Sequence, residues 1–159
     1  MRTPAASLRV LVLVLVAACD PIAGVSLRQS LRPAPAFDCV RAALAASPLV
    51  AGVQPLEYQP RSGMRSLALF LRDTVTAPGA MPPRVDLVML RGDTTELRVF
   101  VGYFGATTSR LKPASVARLT AAAEPIARLI RAACAPDAPV AVRCIVVGWG
   151  RERPCEPAT

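Results

Sequence analysis

Between residues 64 and 103 the apolar positions alternate with polar or small ones. Leu67, Leu69 and Leu71 interleave with Ser66, Ala68 and Phe70, and Leu97, Val99 and Val101 interleave with Glu96, Arg98 and Phe100. A period of two sends successive side chains to opposite faces, so residues 64–72, 84–90 and 95–103 are expected as strands. Arg91-Gly92-Asp93-Thr94 joins the last two tightly, as a β-hairpin requires. Residues 73–83 hold Gly79 and three prolines and are expected as a loop. A further strand is expected at 55–59, after a turn at Gly52, and another at 140–149.

Two stretches follow a helical period instead. In residues 37–47, Phe37, Val40, Ala43 and Leu44 share a face and Pro48 stops the run. In residues 113–134, Val116, Leu119, Ala123, Ile126 and Ile130 recur at steps of three and four. Pro113 suits a first helical turn, where its missing N–H costs nothing. Pro125 lies inside the run, so a kink or two abutting helices are expected near Glu124. The order is one helix, about four strands, a longer helix and a last strand, followed by a short polar tail at 150–159. This predicts an α+β fold, with an antiparallel sheet of four to five strands packed by an N-terminal helix and a longer, proline-kinked C-terminal helix.

The first residues carry a different pattern. Arg2 and Arg9 precede a continuous apolar run from Val10 to Ala18. Nine helical residues rise only about 14 Å, against about 30 Å of bilayer hydrocarbon, so the run is too short to span. It has the charge, length and small terminal residues of a secretory signal. Its end, Val16-Ala17-Ala18-Cys19, resembles the lipobox of bacterial lipoproteins: an aliphatic residue, two small residues, then cysteine. The resemblance covers residues 1–19. It implies a diacylglyceryl group on the Cys19 sulfur, cleavage after Ala18, and an acylated Cys19 as the first residue of the mature chain. The protein would then be anchored in the cell envelope, facing the periplasm or the exterior. Asp20 follows the cysteine, and in enteric bacteria an aspartate there tends to retain a lipoprotein at the inner membrane. The choice between inner and outer membrane stays open.

Three segments are expected on this reading: a signal peptide at 1–18, the acylated cysteine with a flexible tether at 19–36, and one α+β domain at 37–159. The tether assignment rests on three prolines and many small residues in 20–36. The alternative for the leader is an ordinary secretory signal, which leaves a soluble protein able to dimerise through Cys19.

Cysteine arithmetic favours the lipoprotein. There are five cysteines, and an odd count in a secreted protein leaves one thiol unpaired. With Cys19 acylated, Cys39, Cys134, Cys144 and Cys155 remain, an even set suited to disulfides in an oxidising compartment. Four cysteines allow three connectivities. The preferred pairs are Cys39–Cys134, joining the two helices, and Cys144–Cys155, pinning the tail to the last strand. The rival is Cys134–Cys144 with Cys39–Cys155. A metal site is not expected, because the gaps of 95, 10 and 11 residues lack paired-ligand spacing and the chain has no His.

The formal net charge is +8, and loss of Arg2 and Arg9 with the leader lowers it to +6. Lys112 is the lone lysine among the 19 basic residues. The arginines are scattered and form no basic stripe interleaved with aromatics, so nucleic acid is not an expected partner. Arg118, Arg128 and Arg131 are candidates for binding anionic lipid or polysaccharide.

Without His, Ser-His-Asp and Cys-His mechanisms are excluded. There is no G-x-S-x-G elbow and no phosphate-binding P-loop. Carboxylates available for acid–base work are Glu57, Asp73, Asp86, Asp93 and Glu96. Arg91-Gly92-Asp93 spells an adhesion tripeptide, but Gly-Asp is ordinary turn chemistry. Trp149 between two glycines suits either a mobile aromatic or a cap on the core edge. The expectation is a non-catalytic binding or structural module without cofactor or metal. Its partners would be the membrane, through the anchor, and an envelope protein or anionic envelope polymer. The alternative is a carboxylate-dependent envelope hydrolase.

Overall fold

The computed structural model describes residues 22–56, 64–72, 80–90, 93–105, 111–148 and 151–155. Within them, seven strands form one antiparallel sheet. The strands are β1 (Ile22–Leu31), β2 (Val50–Pro55), β3 (Met64–Leu71), β4 (Arg84–Met89), β5 (Thr95–Phe104), β6 (Arg143–Gly148) and β7 (Arg151–Pro154). Their order across the sheet is β2-β3-β4-β5-β1-β6-β7. Two helices complete the fold, α1 (Phe37–Ala45) and α2 (Pro113–Cys134). The α+β class holds, with more strands than expected.

The largest correction concerns residues 20–36. Their composition is that of a tether, yet Ile22–Leu31 is a ten-residue strand inside the sheet, paired with β5 along its whole length and with β6 along six residues. Ala23, Val25, Leu27 and Leu31 project to the helix-covered side and are buried. Burial of those side chains against α2 and β5 outweighs the small, turn-favouring residues between them. The prolines lie outside the strand.

Two other differences are smaller. Residues 50–55 pair with β3, so this strand starts before the expected 55–59; Gly52 is a paired strand residue facing Phe70 rather than a turn, with a bulge at Ala51 just before it. The tail expected at 150–159 contains β7, which pairs with β6. Residues 113–134 form the single long helix expected, with Pro125 inside it, and not two abutting helices. Proline removes the bond to the Ala121 carbonyl, but Ala121 is exposed and water can take that place.

Both helices lie on one face of the sheet. Val40 and Leu44 of α1 join Val116, Leu119, Ala123, Ile126 and Ile130 of α2 over the inward residues of β1, β3, β4 and β5. Among the described residues the other face carries no helix. Each outer strand is blunted against further pairing: β2 has its bulge and ends at Pro55, and β7 is four residues long and ends at Pro154.

Cys39 sits in the first turn of α1 and Cys134 ends α2; their Cα atoms are 5.9 Å apart and the two are disulfide-bonded. Cys144 of β6 is bonded to Cys155, just beyond β7, with Cα atoms 5.4 Å apart. These are the two preferred pairs. Ala18 and Cys19 lie outside the described residues. Among the described residues, no helix is long and apolar enough to cross a membrane.

Candidate functional site

The helix-free face is where exposed chemistry converges. The strand register builds a polar row across five strands: Ser66 on β3, Asp86 on β4, Arg98 on β5, Arg28 on β1 and Arg143 on β6. All have the strand parity opposite to the buried apolar set. Arg84 sits one open-face position below Asp86, and Glu96 one above Arg98.

Three arginines in adjacent strand positions would repel one another without counter-charge. Carboxylates supply it. Glu96 accepts from Arg98 Nε at 2.6 Å and from Arg143 Nη2 at 3.0 Å. Glu152 on β7 accepts from Arg28 Nη2. Asp86 accepts from Arg84 Nε at 2.7 Å and from the Ser66 hydroxyl at 2.6 Å. The three carboxylates and four arginines leave the row one positive charge in excess.

Burial grades along the row. The Asp86 and Glu96 side chains are almost wholly covered. The Arg28 side chain is 15% exposed, and its buried Nε has no hydrogen-bond partner among the described residues. The Arg143 side chain is 70% exposed, so most of its guanidinium faces solvent. Beside the row, Phe100 lies over Gly24 and Gly102, a facing pair on β1 and β5. A Cβ on Gly102 would come within 2.6 Å of the ring, and one on Gly24 within 2.2 Å of the Val101 carbonyl oxygen. The two glycines are thus what lets an aromatic ring lie flat on this face.

The hydrogen bond from Arg28 holds the Glu152 carboxyl below its ordinary value of 4.5; the charges of Arg28 and Arg98 add to this and partial burial opposes it. A carboxylate with a depressed folded value stabilises the fold above its unfolded titration and loses that contribution as pH falls through the folded value. Glu152→Gln should therefore be less stable than wild type at pH 7. The gap should narrow as pH drops below 4.5. Thermal melts of both proteins at neutral and acid pH check this; a gap independent of pH would show that charge is not the source.

The structure brings some expected residues together and separates others. Asp86 and Glu96 share the open face, but arginines occupy both. Asp93 lies at the β4–β5 connection, where it accepts from the Ala34 N–H at 3.2 Å. Glu57, Asp73, Arg91, Gly92 and Trp149 lie outside the described residues. Arg118, Arg128 and Arg131 sit on α2, across the sheet from the row. Arg118 and Arg128 are ten positions apart, about 15 Å along the helix. Arg118 donates to the Tyr103 hydroxyl at 3.0 Å. Among the described residues, no group of three or more His, Cys, Asp or Glu side chains could hold a metal ion. Arg28 and Glu152 carry no local signal as site residues, because they fall in the stretches that read as tether and tail.

Comparison with family models, curated proteins and solved structures finds no match to this chain.

Proposed function

We propose that this protein is a membrane-anchored bacterial envelope lipoprotein whose domain is a non-catalytic binding module, and that the helix-free sheet face engages an anionic envelope component. The observation that carries this is the arginine row. Arg84, Arg98 and Arg143 are set in a rigid sheet, braced by buried carboxylates, with the Arg143 guanidinium open to solvent. Braced guanidiniums suit carboxylate or phosphate recognition, because little side-chain freedom is lost on binding. The arginine bonds to Asp86 and Glu96 also speak against the hydrolase alternative, since general acid–base work needs a carboxyl free to exchange a proton with substrate.

The test is pull-down with isolated envelope fragments at two ionic strengths. Arg84→Glu with Arg143→Glu should weaken binding about tenfold or more, the factor for about 1.4 kcal/mol. Arg128→Glu on the opposite side should bind like wild type. Added salt should weaken wild-type binding, because exposed charge pairs are screened. Binding that ignores both salt and the row substitutions would sink the proposal.

A further inference from the structure

The correction to residues 20–36 changes how the domain would sit on a membrane. With β1 beginning at Ile22, three residue steps separate Cys19 from the sheet. Three steps reach at most about 11 Å, whereas a seventeen-residue coil would have reached about 20–25 Å. The headgroup layer is about 5–8 Å deep on each side. An acyl group on Cys19 would therefore hold the Ile22 end of the sheet at headgroup level.

The register defines which residues share that end. Ile22 faces Phe104, Ala23 faces Gly148, and Gly148 faces Arg151. Ala80 bridges to Tyr103. Val50 faces Leu71, three residues beyond the Ala68–Arg84–Phe100 row, and the Arg72 N–H donates to the Leu49 carbonyl. The bond from Arg118 to Tyr103 brings the start of α2, with Lys112, to the same end.

This rim exposes Leu49, Phe70 and Phe104, at 45%, 46% and 48%. It also exposes the cations Arg72, Lys112 and Arg151. Among the described residues, Asp38, Asp86, Asp93, Glu96 and Asp137 lie towards the opposite end and Glu124 lies midway along α2. Among the described residues the carboxylate nearest the rim is Glu152, which is held by Arg28. The far end exposes apolar residues as well, including Met89 and Val140. Among the described residues charge sign sets the rim apart, and the position of the anchor would do so as well.

We infer that the Ile22 rim docks directly on an anionic phospholipid surface, with Leu49 and Phe104 entering the headgroup layer and Arg72, Lys112 and Arg151 meeting lipid phosphates. This rests on the lipid-anchored reading. Basic groups beside an anionic leaflet and aromatics at headgroup level are both favourable there. The helix-free face then stands roughly along the membrane normal, open to a partner from the side.

The experiment uses the full chain as processed by its host, reconstituted in vesicles of phosphatidylethanolamine and phosphatidylglycerol. Hydroxyl-radical labelling is read residue by residue by mass spectrometry, and the N-terminal peptide is weighed in the same run. Labelling at Leu49 and Phe104 should fall several-fold relative to Met89 and Val140. Arg72→Glu with Arg151→Glu should restore it while the protein stays with the vesicles. Each lost basic group should weaken docking about fivefold, which is what about 1 kcal/mol amounts to. An acylated Cys19 with equal labelling at both ends overturns the docking and leaves the anchor standing. Protection that grows with protein-to-lipid ratio places a second copy on the rim and also overturns it. An N-terminus without acyl overturns the anchored reading and the docking together.

Discussion

A chain shortened to residues 37–159 is expected not to fold. That segment looks self-sufficient in sequence, with both long helical patterns, the four disulfide-forming cysteines and the central hairpin. It lacks β1, which lies between β5 and β6. Val25 and Leu31 are fully buried and Leu27 nearly so. Burial of each such side chain contributes roughly 1.5–3 kcal/mol, so three account for about 5–9 kcal/mol. The net stability of a domain is only about 5–15 kcal/mol. The loss also strips β5 and β6 of a pairing partner and opens the floor beneath α2. Circular dichroism and denaturant titration of 37–159 beside residues 19–159 check this. The expected result is no cooperative transition in the shorter chain. A sharp transition at comparable denaturant would mean that β1 is an accessory strand.

The second large effect is expected from the Cys39–Cys134 bond. It closes a sequence separation of 95 residues and ties the start of α1 to the end of α2. In the chain-entropy treatment a loop that long stabilises by about 4–5 kcal/mol, against about 3 kcal/mol for a loop of the length Cys144–Cys155 closes. Replacing Cys39 and Cys134 by Ala should thus lower the unfolding free energy more than replacing Cys144 and Cys155. Urea titration of the two double variants under non-reducing conditions measures the ordering. Equal losses would indicate that local docking of the helix ends, rather than loop length, sets the stabilisation. Cys144–Cys155 acts more locally. The Cys155 N–H donates to the Cys144 carbonyl at 3.0 Å, so the bond holds β7, and with it Glu152, beside the arginine row.

The central hairpin, the long helix and the cysteine pairs are legible because each is a local or arithmetic signal. The alternation around Leu97 and Val99 needs no partner to be read, and the run from Val116 to Ile130 repeats over several turns. β1 carries the same alternation, with Ala23, Val25, Leu27 and Leu31 against Gly24, Ser26, Arg28 and Ser30. Its small residues are those of a linker, and the nearby prolines reinforce that reading. What makes it a strand is pairing with residues more than sixty positions away, which no local window contains. β7 is hidden likewise: four residues with a proline make a strand only because β6 is next to them. The candidate site shares this fate. Glu96 and Arg98 are visible near one another in sequence, whereas Arg28, Arg143 and Glu152 reach them only through the long-range register.

Attachment through Cys19 is the claim on which both the envelope assignment and the placement of the sheet depend. Mass spectrometry of the mature N-terminus, taken from the membrane fraction of the native host, tests it most directly. The account predicts a first peptide that begins at Cys19 and carries acyl chains on that residue. A peptide that begins at unmodified Cys19, or further along, would contradict it. The protein would then be a soluble secreted one whose fifth thiol points to a Cys19-linked dimer.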